Sequence, residues 1–262
     1  TGQKYWSMYA YDYVKESCKM VRGWSENDNR KFKNNRDDAM HAKYRPEIDI
    51  SRELGDELAT QYQQMIGILR WSIELGRIDI ITEVSLLSSF NVNPREGHLE
   101  AAYRVFEYLY NHMNGGRVVF DDRLPEVKEE QFKEVNWKNI YGDVTEDIPT
   151  NMPEARGNGV IISMFTDAAF AGDLVTRRSQ SGILIFINRA PITWYSKRQN
   201  TVEASTFGSE FIALRVGCEM NDGLRYKLRM MGVPILGPTN VYCDNEAVVS
   251  NSSLAESTLK KK

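Results

Sequence analysis

The stretch MFTDAAFAGD, residues 164–173, sets two aspartates, Asp167 and Asp173, beside a short apolar run. Further along, Glu210 stands in STFGSEF and Asp244 in VYCDN. Carboxylates that converge can hold a hard cation: Mg²⁺ prefers oxygen ligands, keeps several waters and needs neither histidine nor thiolate. Two such ions about 4 Å apart can activate a water and stabilise the leaving 3′ oxygen of a phosphodiester. Carboxylates are also common at strand ends and helix starts as turn or cap residues, and spacing alone leaves both readings open.

The elements around these acids can be read from their periodicity. VIISMFTD, GILIFIN and APITWYS are β-rich runs separated by turn material, as in an antiparallel meander. A long helix is predicted from about Ser205 to Met231, capped by Ser205 or Thr206 and stopped by Gly232-Val233-Pro234. Its apolar stripe is read as Phe207, Phe211, Leu214, Cys218, Leu224, Leu228 and Met231. TNVYCDN is one more strand, and EAVVSN starts another helix. The order strand, strand, strand, helix, strand, helix gives a mixed α/β layer. In it Asp167 ends the first strand, Asp244 ends the fourth, and Glu210 lies in the first turns of the long helix at the border of its stripe. A carboxylate leaning toward the sheet needs a partner, because an unpaired buried charge is costly, and a divalent cation is one such partner.

The N-terminal part reads differently. Ser25 to Asp38 is polar without an apolar period and is expected to be an exposed loop or disordered. From Asp56, Leu58, Tyr62, Met65, Leu69 and Ile73 recur on one helical face, and a second helical stretch follows from about Asp79 to Phe90. A third helix is expected to be capped by Asn93, with Pro94 at its first position; Leu99, Ala102, Phe106 and Leu109 form its stripe, and Gly115-Gly116 ends it. His98 and His112 on this helix are expected to be structural or exposed. VVFDDR reads as a strand ending in a turn, and the acidic run from Asp121 to Pro153 as a linker or irregular segment.

A 262-residue chain that is 42% hydrophobic is long and apolar enough for one or two domains. No apolar run approaches the length of a membrane helix, and nothing resembles a signal peptide. Starting at Thr1 rather than Met, the sequence is expected to be a fragment or a processed piece. Cys18, Cys218 and Cys243 form no CxxC pair, which suggests a reducing compartment. Residues 157–262 hold 12 Lys plus Arg against 9 Asp plus Glu, a net +3, leaving −6 for residues 1–156. The C-terminal part is therefore the better candidate for a polyanionic partner.

Several blocks in order carry a family likeness. FTDAAFAGD, RRSQSG, ITWYSKRQ, STFGSEF and YCDN resemble the D-A-D-W-A-G-D, R-R-S-T-S-G, I-S-W-S-S-K-K-Q, S-S-T-E-A-E-Y and Y-C-D-N blocks of the ribonuclease H region of copia-type retrotransposon polyproteins. The segment from Tyr62 to Leu109 looks like the region after the polymerase palm in the same polyproteins, so the resemblance spans roughly residues 43–262. It implies an α/β fold in which a helical connection segment precedes a ribonuclease H-like mixed sheet with flanking helices, truncated at its C-terminus. The implied divisions are residues 1–120 for the end of the reverse transcriptase region, 121–156 for an acidic linker and 157–262 for the ribonuclease H-like domain.

Carried over residue by residue, the resemblance implies Asp167, Glu210 and Asp244 as catalytic, metal-binding acids, with Mg²⁺ or Mn²⁺, two ions, as cofactor. Asp173 falls in the A-G-D turn and is expected to be structural. Arg177, Arg178, Ser179, Lys197, Arg198 and Gln199 are candidates for contact with nucleic acid. The implied reaction is hydrolysis of the RNA strand of an RNA/DNA hybrid; the implied partners are that hybrid and the rest of the polyprotein, without a membrane, inside a cytoplasmic virus-like particle or the nucleus. Three departures bear on this. Gly208 and Phe211 replace a glutamate and a tyrosine of T-E-A-E-Y, and Ala169 replaces an aspartate. The family continues past the position of Lys262 with a strand and helix that supply a last active-site group. The polymerase aromatic-x-Asp-Asp motif is absent. A non-catalytic remnant that keeps the fold and binds nucleic acid is the alternative.

Overall fold

The computed structural model describes residues 5–28, 30–128, 130, 132, 138–143 and 145–253. Two compact units account for the chain. The first comprises residues 1–119 with the short segments 173–177 and 196–198; the second comprises residues 120–172, 178–195 and 199–262.

The first unit is helical, with α1 (Tyr11–Asn27), α2 (Asp56–Glu74), α3 (Ile81–Ser88) and α4 (Glu96–Asn111), and a small sheet pairs β1 (Trp6–Met8) with β2 (Val118–Phe120). The expected face of α2 is the buried one: Tyr62, Met65 and Leu69 are fully enclosed, as are Leu99, Ala102, Phe106 and Leu109 of α4. Three expectations need correction. Helix α1 was not anticipated, although Val14, Cys18 and Val21 are buried along one face of it and it carries Ser25 to Asn27 out of the expected loop. The stretch from Asp79 opens as a 3₁₀ turn, Ile78–Ile80, before α3 begins. Arg95, not Asn93, is the N-cap of α4. His98 supplies the capping acceptor: its Nδ1 accepts the Arg95 amide at 3.0 Å while its Nε2–H donates to the Pro46 carbonyl at 2.9 Å. Both ring nitrogens are thus used structurally, and burial pulls the His98 pKa down.

The second unit carries β3 (Ile162–Ala169), β4 (Gln180–Ile187), β6 (Asn240–Cys243) and all but the last three residues of β5 (Ala190–Arg198), in the order β5-β4-β3-β6. Strands β3 and β4 are antiparallel and β3 and β6 parallel, so the sheet is mixed. Part of the expected acidic linker lies outside the described residues; those described between Phe120 and β3 include one short helix, α5 (Lys138–Tyr141). As anticipated, β2 ends in a turn in which Asp121 accepts the Arg123 amide at 3.0 Å.

Helix α6 (Thr206–Met230) lies on the sheet over Ile162, Met164, Ile183 and Ile185, and α7 (Glu246–Ser252) follows β6. Ser205 caps α6 as expected, its Oγ accepting the Gly208 amide at 3.2 Å, and Gly232 adopts φ +73° just beyond the end. The expected stripe of α6 holds in part, because Leu214, Leu224 and Leu228 pack on the core of the sheet. Glu210, Ala213, Gly217, Asn221 and Leu228 are inward, whereas Phe211, Cys218 and Met231 are exposed. Small residues win these positions because they let the helix axis approach the sheet, which hydrophobicity alone does not register. No helix among the described residues is long and apolar enough to cross a membrane.

Candidate metal centre

The parallel ladder of β3 and β6 ends with Thr166 opposite Cys243; Asp167 follows within β3, which runs on to Ala169 rather than ending there as expected, and Asp244 lies just past β6. This register brings two aspartates to one end of neighbouring strands. Helix α6 delivers Glu210 from its second turn. The helix start is fixed by Gln199, whose Nε2 donates to Ser181 Oγ of β4 and to the Ser209 carbonyl, both at 2.9 Å. Asp167 and Asp244 are exposed, while Glu210 retains only 6% of its surface.

Glu210 senses the other two acids. Burial first, then the charge of Asp167 and that of Asp244, push the Glu210 carboxyl up to about 7, against the opposing effect of an amide hydrogen bond from Ala168. One carboxylate oxygen, Glu210 Oε2, is buried with no hydrogen-bond partner among the described residues. A buried oxygen left unpaired beside two further carboxylates lacks a positive counterpart. The donor set suits a hard divalent cation: three carboxylates can supply oxygen ligands and charge neutralisation together. The residues therefore fit Mg²⁺ or Mn²⁺.

The other candidate residues divide. Ser179 and Gln199 are buried and committed inside the fold, Ser179 Oγ accepting the Ala171 amide at 3.0 Å and Gln199 bonding as above. The Ser179 hydroxyl and the Gln199 amide are turned inward, toward other residues of the fold. Arg198 donates to Asp173 at 2.6 Å, and Asp173 also accepts the amides of Val175 at 3.1 Å and Thr176 at 2.7 Å. Burial alone would raise the Asp173 pKa, but these donors outweigh it and hold the carboxyl below its ordinary range. Asp173 is the structural member of the MFTDAAFAGD pair. Arg177, at φ +57°, and Lys197 are exposed, and Arg178 is half-buried.

Cysteine 243 was missed as a site residue, since no CxxC pattern marks it. Its Sγ joins carboxylate oxygens of Glu210 and Asp244 in a cluster whose atoms lie within 4.8 Å of one another. The signal was its position immediately before Asp244. Gln199 and Gly217 also shape the centre, and neither type announces such a role in sequence.

No protein-family model matches the chain. No solved structure matches it either. Among curated proteins, it is 25% identical over 202 residues to the retrovirus-related Pol polyprotein from transposon RE1 of Arabidopsis thaliana, across 76% of the chain and 11% of that protein. It is 28% identical over 201 residues to the retrovirus-related Pol polyprotein from transposon TNT 1-94 of Nicotiana tabacum, across 76% of the chain and 12% of that protein. A match of 26% identity over 153 residues to secreted RxLR effector protein 161 of Plasmopara viticola covers 58% of the chain and 83% of that protein. The chain thus spans only 11–12% of the length of the two polyproteins.

Proposed function

From the premise that this chain is related to copia-type retrotransposon polyproteins, we propose that residues 157–262 form a ribonuclease H-like domain that hydrolyses the RNA strand of RNA/DNA hybrids. Residues 1–120 then form the helical connection at the end of a reverse transcriptase region and residues 121–156 the linker. The observation that carries this reading is the meeting of the Glu210 and Asp244 carboxylates within 4.8 Å, beside Asp167, whose charge acts on Glu210, with Glu210 Oε2 buried and unpaired among the described residues. The strand order β5-β4-β3-β6, with β6 parallel to β3 after the α6 crossover, is the frame in which these acids meet.

Asp167, Glu210 and Asp244 would hold Mg²⁺ or Mn²⁺. Such ions, when bound, supply activation of the attacking water and stabilisation of the leaving oxygen in phosphodiester hydrolysis. The chain's own contribution is positional. Ala168 orients the Glu210 carboxyl through its amide, and Gln199 pins the start of α6 so that Glu210 faces the end of β3. The exposed cations Arg177 and Lys197 are suited to backbone phosphates, whereas the choice of RNA over DNA depends on the 2′-hydroxyl. The domain would act where the hybrid forms, in a cytoplasmic virus-like particle or the nucleus.

The test is hydrolysis of a labelled RNA/DNA hybrid with Mg²⁺ or Mn²⁺, beside single-stranded RNA and duplex DNA. Cleavage confined to RNA in the hybrid supports the reading; cleavage of all three substrates alike sinks it. Ala169 and Gly208, standing where the family has carboxylates, favour a second reading, a remnant that binds the hybrid without cutting it. Hybrid binding without turnover would establish that one.

A further inference from the structure

Cysteine 243 ends β6 half-buried and free of any disulfide. Its Sγ and one carboxylate oxygen each from Glu210 and Asp244 lie within 4.8 Å of one another. A thiol is a poor ligand for Mg²⁺ but a preferred one for Zn²⁺ and related ions. Ligand atoms around a tetrahedral Zn²⁺ stand about 3.5 Å apart when each metal–ligand distance is about 2.0–2.3 Å. Small side-chain rotations would close the present cluster to that size. A second observation points to a ligand at this spot: Glu210, only 6% exposed, leaves Oε2 without a hydrogen-bond partner.

We propose that Cys243, Asp244 and Glu210 form a site for a thiophilic divalent ion of the Zn²⁺ class, which competes with Mg²⁺ for the two carboxylates and holds the centre inactive. The inhibitory consequence rests on the nuclease reading, because Glu210 and Asp244 are shared with it. Binding of the thiophilic ion does not. The site needs one thiol and two carboxylates, all supplied by a strand end and the second turn of a helix.

The experiment uses Co²⁺ as the probe. Titration of the chain should produce a near-ultraviolet thiolate-to-cobalt charge-transfer band that saturates near one equivalent and is bleached by Zn²⁺. The band should persist in Cys218→Ser, which changes an exposed cysteine, and vanish in Cys243→Ser. A measurement on the unmodified chain guards against a folding defect in that variant: Zn²⁺ should slow iodoacetamide alkylation of Cys243 by at least about tenfold, because alkylation requires a free thiolate, and leave Cys218 unchanged. Absence of the band, its survival in Cys243→Ser, or equal alkylation with and without Zn²⁺ would overturn the proposal. If the band appears while Mg²⁺ supports no hybrid cleavage, the nuclease reading fails and the thiophilic site stands; cleavage without the band has the opposite meaning.

Discussion

Gly217 of α6 packs on Met164 of β3 with no room for a side chain: a β-carbon at 217 would stand 2.9 Å from Met164 Sδ and 3.0 Å from Thr166 Cγ2. Glu210 lies seven residues earlier, two turns along the same face, so the close approach at Gly217 also sets how near Glu210 comes to the end of β3. A bulkier residue at 217 must displace the Met164 and Thr166 side chains or push the helix outward. Gly217→Val is expected to cost about 1–3 kcal/mol through overpacking and to weaken Mg²⁺ binding as well. Thermal unfolding and Mg²⁺ calorimetry measure the two effects; an unchanged melting temperature would show that the sheet accommodates the side chain.

Gln199 makes a second prediction because its amide ties β4 to the first turn of α6. Gln199→Ala should cost about 2 kcal/mol, the scale of losing buried hydrogen bonds and leaving their acceptors unpaired. If Gln199 positions Glu210 rather than touching nucleic acid, the variant should lose Mg²⁺ affinity while the salt dependence of hybrid binding keeps its slope. A shallower slope would restore Gln199 to the nucleic-acid surface.

The acid cluster predicts a pH dependence with a definite sign. Glu210 titrates near 4.5 in the unfolded chain and at about 7 in the cation-free fold, so the folded state holds an extra proton between those values. Stability of the cation-free chain therefore falls as pH rises through that window, by on the order of 2 kcal/mol. Mg²⁺ binds the ionised carboxylate, and its stabilising effect must grow over the same interval. Melting temperatures with and without Mg²⁺ should differ more at pH 8 than at pH 5.5, and Glu210→Gln should remove most of that difference. Equal Mg²⁺ shifts at both pH values would contradict the assignment.

Strand periodicity made most of this unit legible in the sequence. In β3, Ile162 and Met164 alternate with the exposed Phe165 and Asp167 beyond, and Ser205 and Gly232 bracket α6 with cap chemistry that depends only on local residues. The residues alone left the two aspartates of MFTDAAFAGD open; the family likeness set Asp173 in a turn, where it accepts the amides of Val175 and Thr176. What escaped was set by tertiary packing. The inward face of α6 sets Glu210, Ala213, Gly217 and Asn221 beside the expected leucines, while Phe211 is exposed; the close approach at Gly217 is a packing demand that hydrophobicity does not register. Helix α1 escaped because its buried face mixes Ser17 and Ser25 with Val14, Cys18 and Val21 and so dilutes the apolar period. Ser179 and Gln199 entered as candidates through the family likeness, and only the fold shows their hydrogen bonds turned inward.

The most direct measurement compares Asp167→Asn with Asp173→Asn in Mg²⁺-dependent cleavage of a labelled RNA/DNA hybrid, with rates normalised to folded protein. The account predicts that the chain cleaves the RNA strand of the hybrid, that Asp167→Asn loses at least about 100-fold, the scale of removing a group that holds a catalytic ion, and that Asp173→Asn loses stability but keeps its rate per folded molecule. Loss of cleavage in Asp173→Asn with full activity in Asp167→Asn, or cleavage indifferent to both changes, would contradict the assignment of the metal centre.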